Sequence, residues 1–366
     1  TLSDMVPLLG ENRIFAHFGL LVLKKTKRIG LTKLYSSLKI NPKHLYEEDV
    51  TFMITPRINA ASRMANPMDA FTLLSTNSEA VAEEMVEHLN SVNNERKVQV
   101  AHLVKQIHKN VKERKLDEND SVPVIVLGNP EWKPPVLGLA ATNIVRDYNK
   151  PVFLWGRSED GLIKGSCRAP DGVDIVSVMR EIEKSIIQPG ELFINMGGHS
   201  ASGGFSLTEH GVHQFSDLLN LAYKKVYTEP SLDSVTDSAS LNGTDQRVVY
   251  TVDALIKAGD IHAELWNSIV KLSPYGEANP KPLLIIQKVQ IVEKKLFGKT
   301  KEHLEITCID QKTQKRVKGI QFFATQNKKL IEGLGINDIV DILGYLEKSM
   351  FKSYPEYRLR VVDVLK

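Results

Sequence analysis

The stretch INMGGHSASGGFS (194–206) sets a glycine pair, Gly197 and Gly198, directly before His199, with nothing larger than serine from Ser200 to Gly204. It reads as a strand that ends in the glycine pair, followed by a turn kept small by Ser200, Ala201, Ser202, Gly203 and Gly204. Residues this small let a backbone approach a ligand closely, and their N–H groups can cradle an anion. A histidine held there can donate a hydrogen bond to a phosphate. A glycine-rich turn with a purely structural histidine fits the same letters, so the stretch is read together with its neighbours.

Outward from it, residues 120–228 alternate strand and helix. The short apolar runs VPVIVLG and PVFLWG, and then LIKGSCRA and ELFINMGG, are strand candidates, with helical stretches near 135–148, 174–184 and 209–226. This predicts an α/β domain around a mixed or parallel sheet. In LIKGSCRAP (162–170), Ser166 and Arg168 lie two apart on one strand and so share a face. A hydroxyl beside a guanidinium makes a phosphate pocket, because arginine can hold two oxygens at once. A surface arginine on an edge strand is the other reading. In PRINAASR (56–63), Arg57 and Arg63 flank small residues suited either to close packing or to binding an anion. Between these motifs, residues 78–115 read as one long helix, capped by Ser78, with Glu79 in its first turn and no Gly or Pro. It can bridge two domains or serve as a packing helix.

After a Ser-, Asp- and Thr-rich stretch, EPSLDSVTDSASLNGTDQ (229–246), the pattern changes to strands. They fall at LLIIQKVQIVE, HLEITCI, KGIQFFA, DIVDILGYLE and YRLRVVDVL, with a helical stretch, QNKKLIEGL, between the third and fourth. Five strands with a helix in that place predict an OB-fold barrel, an architecture that often binds single-stranded nucleic acid. The candidate stacking residues are Phe297, Phe322, Phe323, Tyr345, Phe351, Tyr354 and Tyr357, and strand alternation predicts that about half of them are core. From Lys281 to Lys366 there are 17 Lys+Arg against 10 Asp+Glu; with +3 for the whole chain, this segment carries +7 and the remainder −4. A basic terminal segment on a mildly acidic body suits a polyanion, as it also suits a lysine-rich solvated surface.

The 366 residues allow two or three domains, at roughly 100–200 residues each. No apolar run reaches the ~18 residues of a membrane span, and no signal peptide is visible. Two cysteines, Cys167 and Cys308, exclude a disulfide framework and a four-cysteine zinc site, and point to a reducing cytoplasm. The chain opens on Thr1 with TLSDMVPLLGENR, which reads as mid-domain sequence.

Six motifs in order resemble the RecJ exonuclease family of DHH/DHHA1 phosphoesterases. They are SDMVPLLGENR (3–13), PRINAASR (56–63), NPEWKPPVLGLAA (129–141), GSCR (165–168), GGHSASGG (197–204) and SPYGEANPKP (273–282). The resemblance implies a remnant of a DHH catalytic domain (1–76), a connecting helix (77–118), a DHHA1 domain (119–228), a connecting segment (229–281) and an OB domain (282–366). It implies metal-dependent 5′-to-3′ hydrolysis of single-stranded DNA in recombination and repair, with Mn²⁺ or Mg²⁺ as cofactor. Asp4 is then one metal ligand. His199 and Arg63 are candidates for holding the scissile phosphate, and Ser166, Arg168, Gly197, Gly198 and Arg57 for substrate binding. Single-strand-binding protein and a helicase are implied as partners of a monomer that meets no membrane. The family's Asp-x-Asp pair and Asp-His-His triplet are absent here, so the fragment alone is expected to be inactive. Another DHHA1 phosphoesterase, an oligoribonuclease or cyclic-dinucleotide hydrolase, is the alternative, as is a non-catalytic single-strand-binding module.

Overall fold

The computed structural model describes residues 2–4, 6–118, 122–185, 190–227, 249–298, 301–324, 333–350 and 354–366. Its helices are α1 (Gly10–Lys24), α2 (Ile29–Leu38), α3 (Thr55–Met64), α4 (Pro67–Ser75), α5 (Glu79–Glu113), α6 (Pro134–Tyr148), α7 (Ile175–Ser185), α8 (Gly211–Tyr227) and α9 (Ala263–Val270). The strands are β1 (Ile125–Gly128), β2 (Val152–Arg157), β3 (Ile163–Arg168), β4 (Phe193–His199), β5 (Ser202–Leu207), β6 (Ala254–Leu255), β7 (Leu284–Phe297), β8 (His303–Ile309), β9 (Arg316–Gln321), β10 (Ile339–Ser349) and β11 (Glu356–Leu365). They form two compact units. One comprises Lys27–Lys39 and Met53–Ser240; the other comprises Thr1–Thr26, Ile40–Phe52 and Leu241–Lys366.

The first unit is built on the mixed five-stranded sheet β1-β2-β3-β5-β4, in which β1 and β2 are parallel and every other pair is antiparallel. Alternation along the strands decides what covers each face. Val152 and Leu154 of β2 join Leu137, Ala140, Ala141 and Ile144 of α6 and Ile107 of α5 in one core. Phe153, on the same strand, points the other way, with Cys167, Phe193, Phe205 and Phe215, among α7 and α8. Phe153 and Phe193 pack around Phe205 and Phe215, whose centroids are 4.9 Å apart. Burying each such ring is worth roughly 1.5–3 kcal/mol, so this face carries much of the sheet's stability. α5 runs from Glu79 to Glu113, and its cap forms as the sequence predicts, with Val81 N–H donating to Ser78 Oγ at 3.5 Å.

One element escaped the sequence pattern. The small residues Ser202, Gly203 and Gly204 are not a turn. They begin strand β5, and the glycine pair of β4 continues through His199. The turn is reduced to Ser200 and Ala201, between the paired residues His199 and Ser202. Gly198 has φ +150, and a methyl group there would lie 2.3 Å from the Ser202 carbonyl, so this tight hairpin requires glycine at that position.

In the second unit the five strands β7–β11 form a closed barrel in the order β7-β8-β9-β11-β10, with β10 returning to β7. Only β9 and β11 pair in parallel within it. This is the OB arrangement that the strand pattern predicts. The interior is aliphatic, with Ile286, Ile291, Leu304, Ile306, Val340, Ile342 and Leu359 all buried. The helical stretch expected at 326–334 and the linker at 229–246 lie outside the described residues, apart from Gly333 and Leu334.

Candidate nucleic-acid interface

Register brings the first set of candidate residues together. Arg168 on β3 pairs with Ser202 on β5, and Ser202 pairs with His199 on β4. Directly paired residues point to the same face, so these three side chains form one row across three strands. The next row on that face is Ser166, Gly204 and Gly197. It is the face that α6 covers farther along the sheet: a methyl group placed on Gly138 of α6 would lie 2.9 Å from Arg168 Nη2 and 3.5 Å from Ser166 Oγ. Ser166 and Arg168 therefore do share a face. Moreover, β3 is an interior strand between β2 and β5, which removes the edge-strand reading of Arg168.

Beyond α6 the same face is bare. Gly197, Gly204 and His199 are exposed. A methyl group on Gly197 would meet nothing within 4 Å, and one on Gly204 only the Gly165 carbonyl at 3.7 Å. The opposite face is closed at this point, since a methyl on Gly203 would press on Cys167 Sγ at 3.0 Å. The small residues thus leave a shallow floor of open backbone, edged by a hydroxyl, a guanidinium and an imidazole.

The second set stands on helices of the same unit. Ala60 and Ala61 of α3 are fully buried, which explains the small residues of PRINAASR. Arg63, at the exposed end of that helix, donates from Nη1 to the Pro135 carbonyl at 2.8 Å. Arg57 is held instead by Asn90 Oδ1 at 2.7 Å and the Met53 carbonyl. A fourth cation, Arg96 on α5, has no sequence motif to announce it. It donates to Asn93 Oδ1 at 3.0 Å, while its own Nε and the Asn93 Nδ2 are buried without a partner among the described residues.

These arginines are close enough to act on one another. Burial lowers the pKa of Arg168, and the like charge of Arg63 adds to the effect. Burial and then Arg63 do the same to Arg96, as do burial and then Arg96 to Arg57. None of the four pairs with a carboxylate among the described residues. Three partly desolvated cations beside the exposed Arg63, without counter-charge among the described residues, favour an anion, which would relieve the repulsion.

The barrel offers a different surface. His303 is surrounded by Phe297, Phe322 and Phe323, with ring centroids at 5.1, 5.2 and 5.1 Å. Phe323 donates its backbone N–H to His303 Nδ1 at 3.1 Å and leaves its ring 58% exposed. The Arg360 guanidinium lies 5.3 Å from the Phe322 centroid. The expectation that half of the stacking candidates are core is not met. Phe297, Phe322, Phe323, Tyr345, Tyr354 and Tyr357 are all at least partly exposed, and Phe351 lies outside the described residues. Most of them sit at strand ends or beyond, where alternation no longer chooses a face.

Asp4 is exposed in a turn of the barrel's unit. Among the described residues no group of three or more His, Cys, Asp and Glu is arranged to hold a metal ion. The described donors therefore do not by themselves fit a two-metal centre. No described helix is long and apolar enough to cross a membrane.

Comparison with known proteins agrees with both units. The DHHA1 domain family matches residues 120–227, and the RecJ OB domain family matches residues 252–363. The single-stranded-DNA-specific exonuclease RecJ of Bacillus subtilis (strain 168) is 26% identical over 365 residues, 99% of this chain and 42% of that protein. The RecJ of Thermus thermophilus is 27% identical over 367 residues, 100% of this chain and 47% of that protein. Crystal structures of the Thermus RecJ in complex with Mg²⁺ and with Mn²⁺ each superpose with a TM-score of 0.74 over the whole chain, at 26% identity, covering 51% and 48% of those chains. The chain spans about half the length of the curated relatives it matches.

Proposed function

We propose that this chain, a RecJ-type protein with a DHHA1 domain followed by a RecJ OB domain, forms the substrate-binding part of a 5′-to-3′ single-stranded-DNA exonuclease. The observation that carries the reading is the row Arg168–Ser202–His199 beside the bare glycine floor. A terminal phosphate seated there can take two hydrogen bonds from Arg168, one from Ser166 and one from His199. Gly197 and Gly198 keep the backbone low enough for it to enter. Arg63 and Arg57, with Arg96, supply positive charge for the phosphate that follows. A 5′-phosphate carries more charge than an internal phosphodiester, so this site selects chain ends. The aromatic surface around His303 would stack bases farther along the strand, a mode that tolerates any sequence because every base has a flat face.

Hydrolysis itself is proposed to need Mn²⁺ or Mg²⁺. Asp4 is the one candidate ligand here, and a single carboxylate does not make a centre, so no step is assigned through the metal. In this reading the chain acts as a monomer in the cytoplasm, with single-strand-binding protein and a helicase as partners.

The reading is tested by incubating the chain with 5′-labelled single-stranded and duplex DNA, with and without Mn²⁺. Single strands should bind at least tenfold more tightly than duplex, and binding should weaken steeply with salt as counterions are released. No mononucleotide should appear. Equal affinity for duplex would defeat the substrate assignment, and clear nucleotide release would defeat the division of labour.

A further inference from the structure

The stretch SPYGEANPKP (273–282) takes part in neither nucleic-acid surface. With residues 44–49, α9 and the end of β10, all within the barrel's unit, it lines a cavity of about 260 Å³. Four aromatic rings contribute to the walls. Tyr46 and Trp266 meet edge to face at 5.9 Å, and Tyr275 and Tyr345 complete the set. Tyr275 is fixed by its hydroxyl, which donates to the Ile269 carbonyl.

Into this aromatic setting the chain places Glu47. It is only 6% exposed, and its Oε2 has no hydrogen-bond partner among the described residues. Burial pushes its pKa up. The other lining carboxylates are engaged. Glu48 pairs with Lys281, and Glu347 with Arg358 at 3.2 Å. Asp49 accepts from the Tyr46 N–H at 2.9 Å. Glu47 keeps a buried oxygen unused, which is costly for a polar atom unless something fills the role.

Charge narrows the ligand. With Glu48 and Glu347 already paired, Glu47 and Asp49 remain against Lys348, and the Lys24 ammonium already lies 5.5 Å from the Tyr46 centroid, so the lining takes a cation more readily than a phosphate-bearing molecule. Aromatic faces around a carboxylate suit a flat cation, which can stack on the rings and donate several N–H groups to the oxygens. A free amino acid would bring its own carboxylate into the same negative field, whereas a side chain within a polypeptide would not. We propose that this cavity receives the guanidinium of an arginine presented by a partner protein, with Glu47 as its acceptor and Tyr46 and Trp266 as its walls.

The test is calorimetric titration of the whole chain with Nα-acetylarginine amide, against the neutral isostere Nα-acetylcitrulline amide, free L-arginine and deoxyguanosine. Saturable binding is expected for the first, at least tenfold tighter than for any of the others. Glu47→Gln should weaken it at least tenfold without lowering the melting temperature. Lys348→Glu, which adds negative charge to the lining, should tighten it several-fold, and so decides the matter even if the Glu47 variant misfolds. Absence of saturable binding, equal binding of the citrulline compound, or a preference for the nucleoside would each overturn the proposal. Because none of these probes is a DNA strand, failure here leaves the exonuclease reading standing, and failure of that reading leaves this one standing.

Discussion

The two units offer a polyanion opposite kinds of surface. The unit of the mixed sheet leaves Arg168 beside the glycine floor, and Arg57, Arg63 and Arg96 on nearby helices, without a carboxylate among the described residues, although Arg157 and Lys164 on its strands are paired with Glu209 and Asp160. Burial, with the like charge of Arg63 added, lowers the pKa of Arg96 and of Arg168, and none of the three has a carboxylate partner among the described residues. The barrel carries the larger surplus of positive charge, yet much of it is neutralised locally. Lys318 lies 3.7 Å from Glu305 and 3.4 Å from Glu356, Arg358 lies 3.2 Å from Glu347, and Lys366 lies 2.7 Å from Asp338. What the barrel leaves open is aromatic surface. On the proposed reading, the net charge of a segment is a poor guide to where a phosphate binds. Unpaired, partly desolvated charge is the better one, since exposed pairs are worth little and attract little.

The comparison breaks most visibly at Arg168. Arg168→Ala should weaken binding of a 5′-phosphorylated strand by roughly ten- to a hundred-fold, the equivalent of ~1.5–3 kcal/mol for one charge-assisted contact. Binding of the 5′-hydroxyl strand should fall much less, in a paired fluorescence-anisotropy titration. Equal loss on both strands would make Arg168 a general phosphate contact, and a drop in melting temperature with it would make it a fold contact.

A second pair of variants separates floor from fold. Gly197→Val fills open space on the bare face, so it should reduce 5′-phosphate affinity about tenfold, some 1.4 kcal/mol, at unchanged thermal stability. Gly198→Ala, one residue on, would clash with the Ser202 carbonyl and hold a positive φ, so it should cost stability by about 1–3 kcal/mol in a denaturant titration. If the two variants behaved alike, the bare face would be structural and not a site.

The smallest of these effects belongs to the barrel. Phe323→Ala removes an exposed ring and should cost about 1 kcal/mol in binding a single strand long enough to span both units, or roughly fivefold. The loss should be the same for 5′-phosphate and 5′-hydroxyl strands. A loss that depends on the 5′ end would merge the two regions into one site.

Much of this was legible in the sequence, for reasons that differ by element. The barrel strands announce themselves because every second residue must be aliphatic to fill a closed interior, as Leu304, Ile306 and Cys308 do on β8. The face shared by Ser166 and Arg168 follows from the same period. β5 was hidden because its first three residues, Ser202, Gly203 and Gly204, carry no apolar signal; only Phe205 and Leu207 reach the core, and the strand is held by pairing on both sides. Arg96 was hidden among the many charges of α5, since a helix shows which face is apolar but not which of its cations meets another element's cation. The aromatics Phe297, Phe322 and Phe323 lie at or beyond strand ends, where two-residue alternation does not choose a face.

In the proposed function the row Arg168–Ser202–His199 and the glycine floor beside it hold the phosphate at a strand's 5′ end. This is tested most directly by measuring the affinity of the unaltered chain for one single-stranded oligonucleotide in two forms, 5′-phosphorylated and 5′-hydroxyl, at matched salt. At least tenfold tighter binding of the phosphorylated form is expected, and loss of that preference in Arg168→Ala. Equal affinities for the two forms in the unaltered chain would contradict it.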